Sequence, residues 1–270
     1  MAEDHERAEP SEEASGLFGG RVERDDLVTS TDWGTRTRCL AYALAVLLGA
    51  IVLGSLLTSV GAALLAGIDV TEADSPVVYY ASTTALSLAG FLIVAGGYLA
   101  VGEDWSLIRA RRLTRRDAVW IALGTVVFFV VMGIGTAIVS LLDLETAENI
   151  AVERGQENPE LFLVFLPIQF LLTAPAEEVL FRGVIQGLLR RAYGVLPGII
   201  LASLLFGLIH YPALAGSDGV LTVITLLVAT GALLGALYEY TGNLLVPIVV
   251  HALWNVFVFG SEYLSAVGGV

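Results

Sequence analysis

Six side chains whose chemistry sits badly in an apolar setting stand out in the carboxyl-terminal half of the chain: Glu177, Glu178, Arg182, His210, His251 and Asn255. Each lies within a long apolar stretch, where an ionisable group costs at least about 2.5–3.5 kcal/mol on insertion scales and therefore needs a reason. Glu178 and Arg182 stand four apart, on one face of a helix, and read as a self-satisfying ion pair. Glu177 is turned about 100° from Glu178 and is left as the unpaired acid. His251 and Asn255 again share a helix face and could bond to each other, whereas His210 has no local partner. Together, a carboxylate, two imidazoles and a carboxamide make a hydrolytic set. A Glu can take a proton from water while a His holds that water. Donors from a second His and an Asn can then steady the oxyanion formed on a carbonyl. No serine or cysteine nucleophile set is evident, because Cys39 lies in a different stretch and no G-x-S-x-G occurs. A zinc site of Glu177, His210 and His251 is the alternative, although neither H-E-x-x-H nor H-x-x-E-H is present.

The elements that must position these groups are membrane helices. Of 270 residues, 56% are hydrophobic and 15% charged, against about 25% charged in a soluble domain. Residues 39–68, 75–102, 118–142, 192–217, 219–238 and 240–261 hold no Asp, Glu, Lys or Arg, and about 20 apolar residues span a bilayer. A further apolar segment begins at Leu161 and carries Glu177, Glu178 and Arg182. The expected fold is an all-α, polytopic transmembrane bundle of about seven helices, with the catalytic core in helices four to seven. Expected limits are 38–66, 77–101, 117–142, 161–189, 196–210, 219–239 and 244–260. Pro167 and Pro175 should bend or split the fourth. If Pro175 opens a new helical piece capped by Thr173 or Ala174, both glutamates fall in its first turn, where the helix dipole favours negative charge.

Depth brings the groups together. Glu178 lies 13 residues before Arg191, and His210 lies 13 residues after Pro197, so both reach about 20 Å from the turn between them. His251 is only about 10 Å from the start of its helix by the same rise, so a tilted helix or a recessed pocket must supply the rest.

All 14 basic residues are Arg, against 27 acids, for a net charge of −13. With no basic groove, a nucleic-acid partner is excluded, and the acidic, lysine-free exterior reads as adaptation to high salt. Twelve loop arginines fall on one side of the predicted helices and only Arg154 on the other. By the positive-inside rule the amino terminus is cytosolic and the carboxyl terminus outside. Residues 1–37 read as an acidic, disordered cytosolic tail, 38–158 as accessory helices with their loops, and 159–262 as the functional core. The single Cys39 excludes an intramolecular disulfide and reads as a small buried residue. Gly231 and Gly235 form a small-xxx-small pair that reads as close helix packing.

Glu177-Glu178-Val-Leu-Phe-Arg182 resembles the EExxxR motif of the CPBP intramembrane proteases, the type II CAAX prenyl endopeptidases and their bacteriocin-processing and immunity relatives. Phe206-Gly-Leu-Ile-His210 is similar to that family's FxxxH motif, and His251-Ala-Leu-Trp-Asn255 to its HxxxN. All three occur in order on consecutive motif-bearing helices, and the resemblance covers about residues 161–258. It implies that Glu177 is the general base, assisted by His210, with His251 and Asn255 as oxyanion donors and Glu178 and Arg182 in support. It implies an endopeptidase acting on a membrane-embedded or lipid-anchored, in some relatives prenylated, protein or peptide, in a cavity open to the cytosol. The glutamate mechanism needs no cofactor, although a divalent metal such as zinc is disputed for the family. The competing readings are a non-catalytic scaffold or immunity-type binding protein and, less well supported, a small transporter without the usual repeats.

Overall fold

The computed structural model describes residues 32–102, 104–216 and 218–268. The predicted acidic tail lies outside them except for its last residues, which prove helical. Among the described residues, seven helices are long and apolar enough to cross a membrane: α1 (Trp33–Ala66), α2 (Pro76–Val101), α3 (Arg115–Leu141), α5 (Glu160–Tyr193), α6 (Val195–Ile209, continued by one 3₁₀ turn to Ala213), α7 (Val220–Thr241) and α8 (Leu245–Gly268). A short amphipathic helix, α4 (Ile150–Glu157), precedes α5. The chain is an integral multi-pass membrane protein of all-α architecture. In lipid this is forced, because a spanning segment must satisfy its own backbone polar groups.

α1 begins about five residues earlier than its apolar run. Asp32 caps it, with side-chain oxygens accepting from the Gly34 and Thr35 amides at 3.3 and 2.9 Å. An N-cap supplies the orphan donors of a first turn even where the sequence is polar. Cys39 follows in this helix and is partly exposed rather than buried.

α1 and α2 pair as antiparallel neighbours through glycine. A Cβ on Gly90 would stand 2.6 Å from the backbone of Gly54, so the two backbones touch directly. Small residues serve this purpose in membranes, where helix association depends on packing rather than on expelling water. Gly231 and Gly235 confirm the packing expected of them. Gly231 faces Ser203, Phe206 and the Arg182 guanidinium, and Gly235 faces Ile199 and the Gln186 amide.

The two ends of the bundle differ in chemistry. At the end carrying residues 102–114, 190–194 and 242–244, a polar network ties four segments together. Glu239 accepts from Arg109 at 2.9 Å, Arg190 at 3.0 Å and Gln186 at 3.0 Å. The Tyr238 hydroxyl donates to the Leu107 carbonyl and accepts from the Arg109 amide, both at 2.9 Å. Outside the spans, Asp104 pairs with Arg191, whose hydrogen bonds hold its carboxyl below the usual carboxylate range. Gly242, with φ +58°, ends α7 in the left-handed conformation and turns the chain inward. The Leu244 amide then donates to the Arg109 carbonyl at 2.7 Å and the Arg111 amide to Asn243 Oδ1 at 3.2 Å. Asn243 and Leu244 are consequently 0% and 2% exposed. α8 therefore starts inside the bundle, beneath the 105–113 segment, and not at its rim.

Glu239 is the anion shared by three donors, with its side chain 11% exposed. Glu239→Ala is expected to cost about 3 kcal/mol, as removal of one partner from a buried ion pair does. Glu239→Gln should cost less, and thermal unfolding in detergent distinguishes the two.

Candidate active site

The six polar side chains come from three spans and meet halfway along α5. Of the bend or split expected at Pro167 and Pro175, the split does not occur, and the helix runs on from Glu160 to Tyr193. Thr173 is helical, at φ −62° and ψ −60°, and makes no side-chain cap bond. Pro175 thus opens no new N-terminus, and the helix-dipole stabilisation foreseen for the glutamates does not arise. Two π-helical stretches, Gln169–Thr173 and Val179–Ile185, absorb the distortion instead. Proline removes a helical donor and crowds the preceding turn, and π turns relieve this at single points, often at functional sites. In a regular α-helix, residues eight apart drift about 80° around the axis. The wide turn offsets that drift, so Gln169, Thr173 and Glu177 all face one cavity.

Glu178 is the hub. It is fully buried, and its Oε1 accepts from His251 Nδ1 at 3.0 Å. Its Oε2 lies 3.2 Å from Arg182 Nε, an ion pair by distance although no guanidinium N–H is directed for a hydrogen bond. The fully buried Arg182 instead lies over the Phe206 ring, 4.8 Å from its centre. The local i, i+4 pair thus exists, but the directed bond of Glu178 is to a helix far away in sequence.

His251 stands between both acids. With Nδ1 committed to Glu178, its Nε2 faces Glu177 Oε2 at 3.8 Å. The depth mismatch foreseen for His251 is resolved by the recessed start of α8. Asn255, one turn further along, does not bond to His251. Its Nδ2 donates to Gln169 Oε1 at 3.0 Å, which leaves a second N–H on the same nitrogen. Gln169 is a site residue that the sequence reading missed. It is 9% exposed and lines the cavity. Its polarity inside an apolar span was the available signal, but an amide carries no charge to interrupt the stretch.

His210 caps the end of α6. Its backbone amide turns to the Gly207 carbonyl at 3.2 Å, while ring Nδ1 donates to the Phe206 carbonyl at 2.6 Å. A carbonyl only accepts, so Nδ1 carries a proton, and in the neutral ring Nε2 keeps its lone pair as an acceptor. The Phe206 ring spaces the site, with centroids 4.7 Å from His210 and 6.0 Å from His251.

Glu177, His210, His251 and Asn255 all line one cavity of about 350 Å³. Its remaining wall is largely apolar, from α3, α7 and α8, including Phe128, Leu234 and Trp254. Such a pocket, apolar with a few convergent polar groups, is the form a substrate site takes. As a metal site the set fits poorly. Glu177 and His251 approach each other, but among the described residues no three His, Cys, Asp or Glu side chains converge closely enough to hold an ion.

The cavity also has a direction within the bundle. Its lining reaches Asn149, Ala151 and Val152 around the start of α4, Ala213 after α6, and Val223 in the first turn of α7. Among the described residues, none of its lining comes from 102–114, 190–194 or 242–244. The cavity thus extends toward the end of the bundle opposite the 102–114, 190–194 and 242–244 segments.

Residues 159–257 match the family model described as type II CAAX prenyl endopeptidase Rce1-like. Over this segment, about a third of the chain, the protein is similar to that family. All six polar residues fall inside the Rce1-like segment, as does Gln169. Over 81 residues the chain is 42% identical to the uncharacterized protein YpbD of Bacillus subtilis (strain 168), a match taking in 30% of this chain. The chain covers 36% of the length of that relative. No solved structure matches it.

The Rce1-like segment thus contains two kinds of carboxylate, one structural and one facing open space. Glu178→Ala leaves Arg182 buried without a counter-ion and is expected to destabilise by about 3–5 kcal/mol. Glu177→Ala should stay within about 1 kcal/mol of the parent, since its side chain borders the cavity. Thermal unfolding of both variants in detergent tests the contrast.

Proposed function

We propose that the protein is an intramembrane endopeptidase that hydrolyses a peptide bond in a membrane-anchored protein or peptide by glutamate-activated water. The observation that carries this reading is the convergence of Glu177, His210, His251 and Asn255, from three spans, on one largely apolar cavity. The match of residues 159–257 to the Rce1-like family model supports the reaction class.

The chemistry assigned to each group follows from its free atoms. Glu177 accepts a proton from a water whose other hydrogen bond is received by His210 Nε2, and the water oxygen attacks the scissile carbonyl carbon. The carbonyl oxygen takes up negative charge, and the second N–H of Asn255 Nδ2 donates to it. Gln169 keeps that carboxamide turned toward the cavity. Because Nδ1 of His251 already donates to Glu178, its Nε2 joins as a donor only when the ring carries both protons. The proton held by Glu177 then passes to the leaving nitrogen as the C–N bond breaks, giving a new carboxyl terminus and a new amine. The apolar walls exclude bulk water, which strengthens each of these interactions.

In this reading Glu177→Ala abolishes cleavage in proteoliposomes, and retained activity would refute the assignment. Asn255→Ala should lower kcat by about 10²–10³, the usual effect of removing one oxyanion donor, with KM little changed. Gln169→Leu should lower kcat in the same direction but less, while Gln169→Glu, which keeps the acceptor, restores part of the loss. Activity should persist in a strong chelator; a chelator-induced loss reversed by zinc would replace the metal-free mechanism.

A further inference from the structure

Beside the catalytic cavity, and outside its lining, a file of polar side chains runs one turn at a time along α5 from Glu178 through Arg182 and Gln186 to Arg190. The first three are 0% exposed. They pack in matched layers against α6 and α7. At the level of Arg182, a Cβ on Gly231 would stand 3.5 Å from the guanidinium Nη2 and 3.3 Å from Ser203 Cβ. One turn on, a Cβ on Gly235 would stand 2.5 Å from Gln186 Oε1 and 3.2 Å from Ile199 Cγ2. Donors and acceptors in these layers do not balance. Among the described residues, no acceptor receives the N–H groups of Arg182 Nη1 and Nη2, and no donor reaches Gln186 Oε1. Gln186 Nε2, by contrast, donates to the Gly235 carbonyl at 3.2 Å and to Glu239 at 3.0 Å. Ser203 Oγ donates to the Ile199 carbonyl at 2.7 Å and keeps lone pairs that can accept. Buried polar groups are rarely left in this condition, because their hydration has been lost and nothing has replaced it.

The two glycines are one turn apart on α7, about 6 Å, and the unpaired groups they face are separated on the same scale. That is two hydrogen bonds of ordinary length laid end to end, the span of a single water. We propose that a buried water bridges Arg182 and Gln186, and that Gln186 thereby serves as a positioning residue for His251. The water oxygen receives an Arg182 N–H, and its two hydrogens go to Gln186 Oε1 and Ser203 Oγ. This gives it the about three polar partners that buried waters have. Its effect on the site comes from competition for Glu178. Oε2 of that carboxylate lies 3.2 Å from Arg182 Nε, while Oε1 accepts from His251 Nδ1 at 3.0 Å. With its terminal N–H groups unmet, the guanidinium would turn to both oxygens as a bidentate partner and draw Oε1 away from the imidazole. The water supplies a second acceptor, so Oε1 stays on Nδ1 and Nε2 keeps facing Glu177. Glu239, held by Arg109 and Arg190, fixes the Gln186 amide in the orientation that presents Oε1 to the water. The catalytic meaning of the bridge rests on the endopeptidase reading of the site; the bridge itself does not.

Two variants remove the bridge in different ways. Gln186→Leu deletes the acceptor, whereas Gly231→Ala places a methyl beside Arg182 Nη2 and Ser203 without altering either partner of the Gln186–Glu239 bond. The chain has three histidines, so ¹⁵N-histidine labelling of the full chain in lipid nanodiscs reads each ring separately. His251 is assigned by its loss in His251→Gln, and His210 is the internal control. In the parent, His251 should show one protonated, hydrogen-bonded Nδ1. In both variants that signal should fall to about half or less as the ring divides between two states, with His210 unchanged. An unchanged His251 signal in either folded variant overturns the proposal. So does a density map of the parent chain that shows waters elsewhere in the bundle but none between Arg182 and Gln186. If Gln186→Leu does not fold, Gly231→Ala and the map still decide. On a peptide cleaved by the parent chain, both variants should lower kcat about tenfold with KM changed less than about twofold; an unchanged kcat overturns the positioning role. Cleavage that survives Glu177→Ala would instead refute the endopeptidase reading, and the ring signal and the map would still test the bridge.

Discussion

The Glu178 carboxylate is buried to zero exposure in the middle of a membrane span, with the Arg182 guanidinium 3.2 Å from one oxygen and the His251 imidazole 3.0 Å from the other. A bare carboxylate there would be too costly to keep, and an isolated guanidinium would be no better. Each is tolerable because the other is present, and together they lock α5 to α8. The lock also fixes the ring of His251, so that Nε2 has one direction to face. The positions of the cavity-facing groups depend on this interaction, since Glu177 precedes Glu178 by one residue and Asn255 follows His251 by one helical turn.

Around that hub the protein separates polar groups that hold the fold from those left open to do chemistry. At the arginine-rich end, Glu239, Arg109, Arg190 and Gln186 satisfy one another, and Tyr238 stitches the 105–109 segment to α7. None of these five residues lines the cavity of Glu177 and His210. Within the cavity each side chain is half committed: His210 through Nδ1 to Phe206, His251 through Nδ1 to Glu178, and Asn255 through one N–H to Gln169. One atom is anchored in each case and one remains for a substrate or water. That is how a rigid site is built in a medium that offers no alternative partners.

Much of this was legible in the residues. Charge-free stretches located the spans to within about five residues, except that α8 runs eight residues past its expected end, because helix length is set largely by bilayer thickness. The three motifs named six polar residues that the structure brings together, but not Gln169. Where the reading failed, the cause was physical. α1 starts early because a side-chain cap, not hydrophobicity, sets its first residue. Pro175 does not restart a helix because π turns on either side of Glu177 and Glu178 accommodate it. Gln169 went unnoticed because its partner lies 86 residues away and an amide barely alters a hydropathy profile.

The sequence by itself determined that the chain enters a membrane, which end of the bundle carries the arginines, and which side chains are expensive enough there to require a purpose. Those follow from composition and from spacing along single helices, where 3.6 residues per turn already dictates which groups share a face. Only the tertiary structure decided that Glu178 serves His251 as well as Arg182, that Asn255 leans on Gln169, and that the cavity extends toward the end of the bundle opposite the 102–114 segment. Each of these depends on the depth at which separate helices begin and on how far a π turn rotates one against the next. The recessed start of α8, pulled inward by Asn243 and Leu244 beneath the 105–113 segment, is such a depth. No local pattern encodes it, because it results from contacts more than a hundred residues apart in the chain.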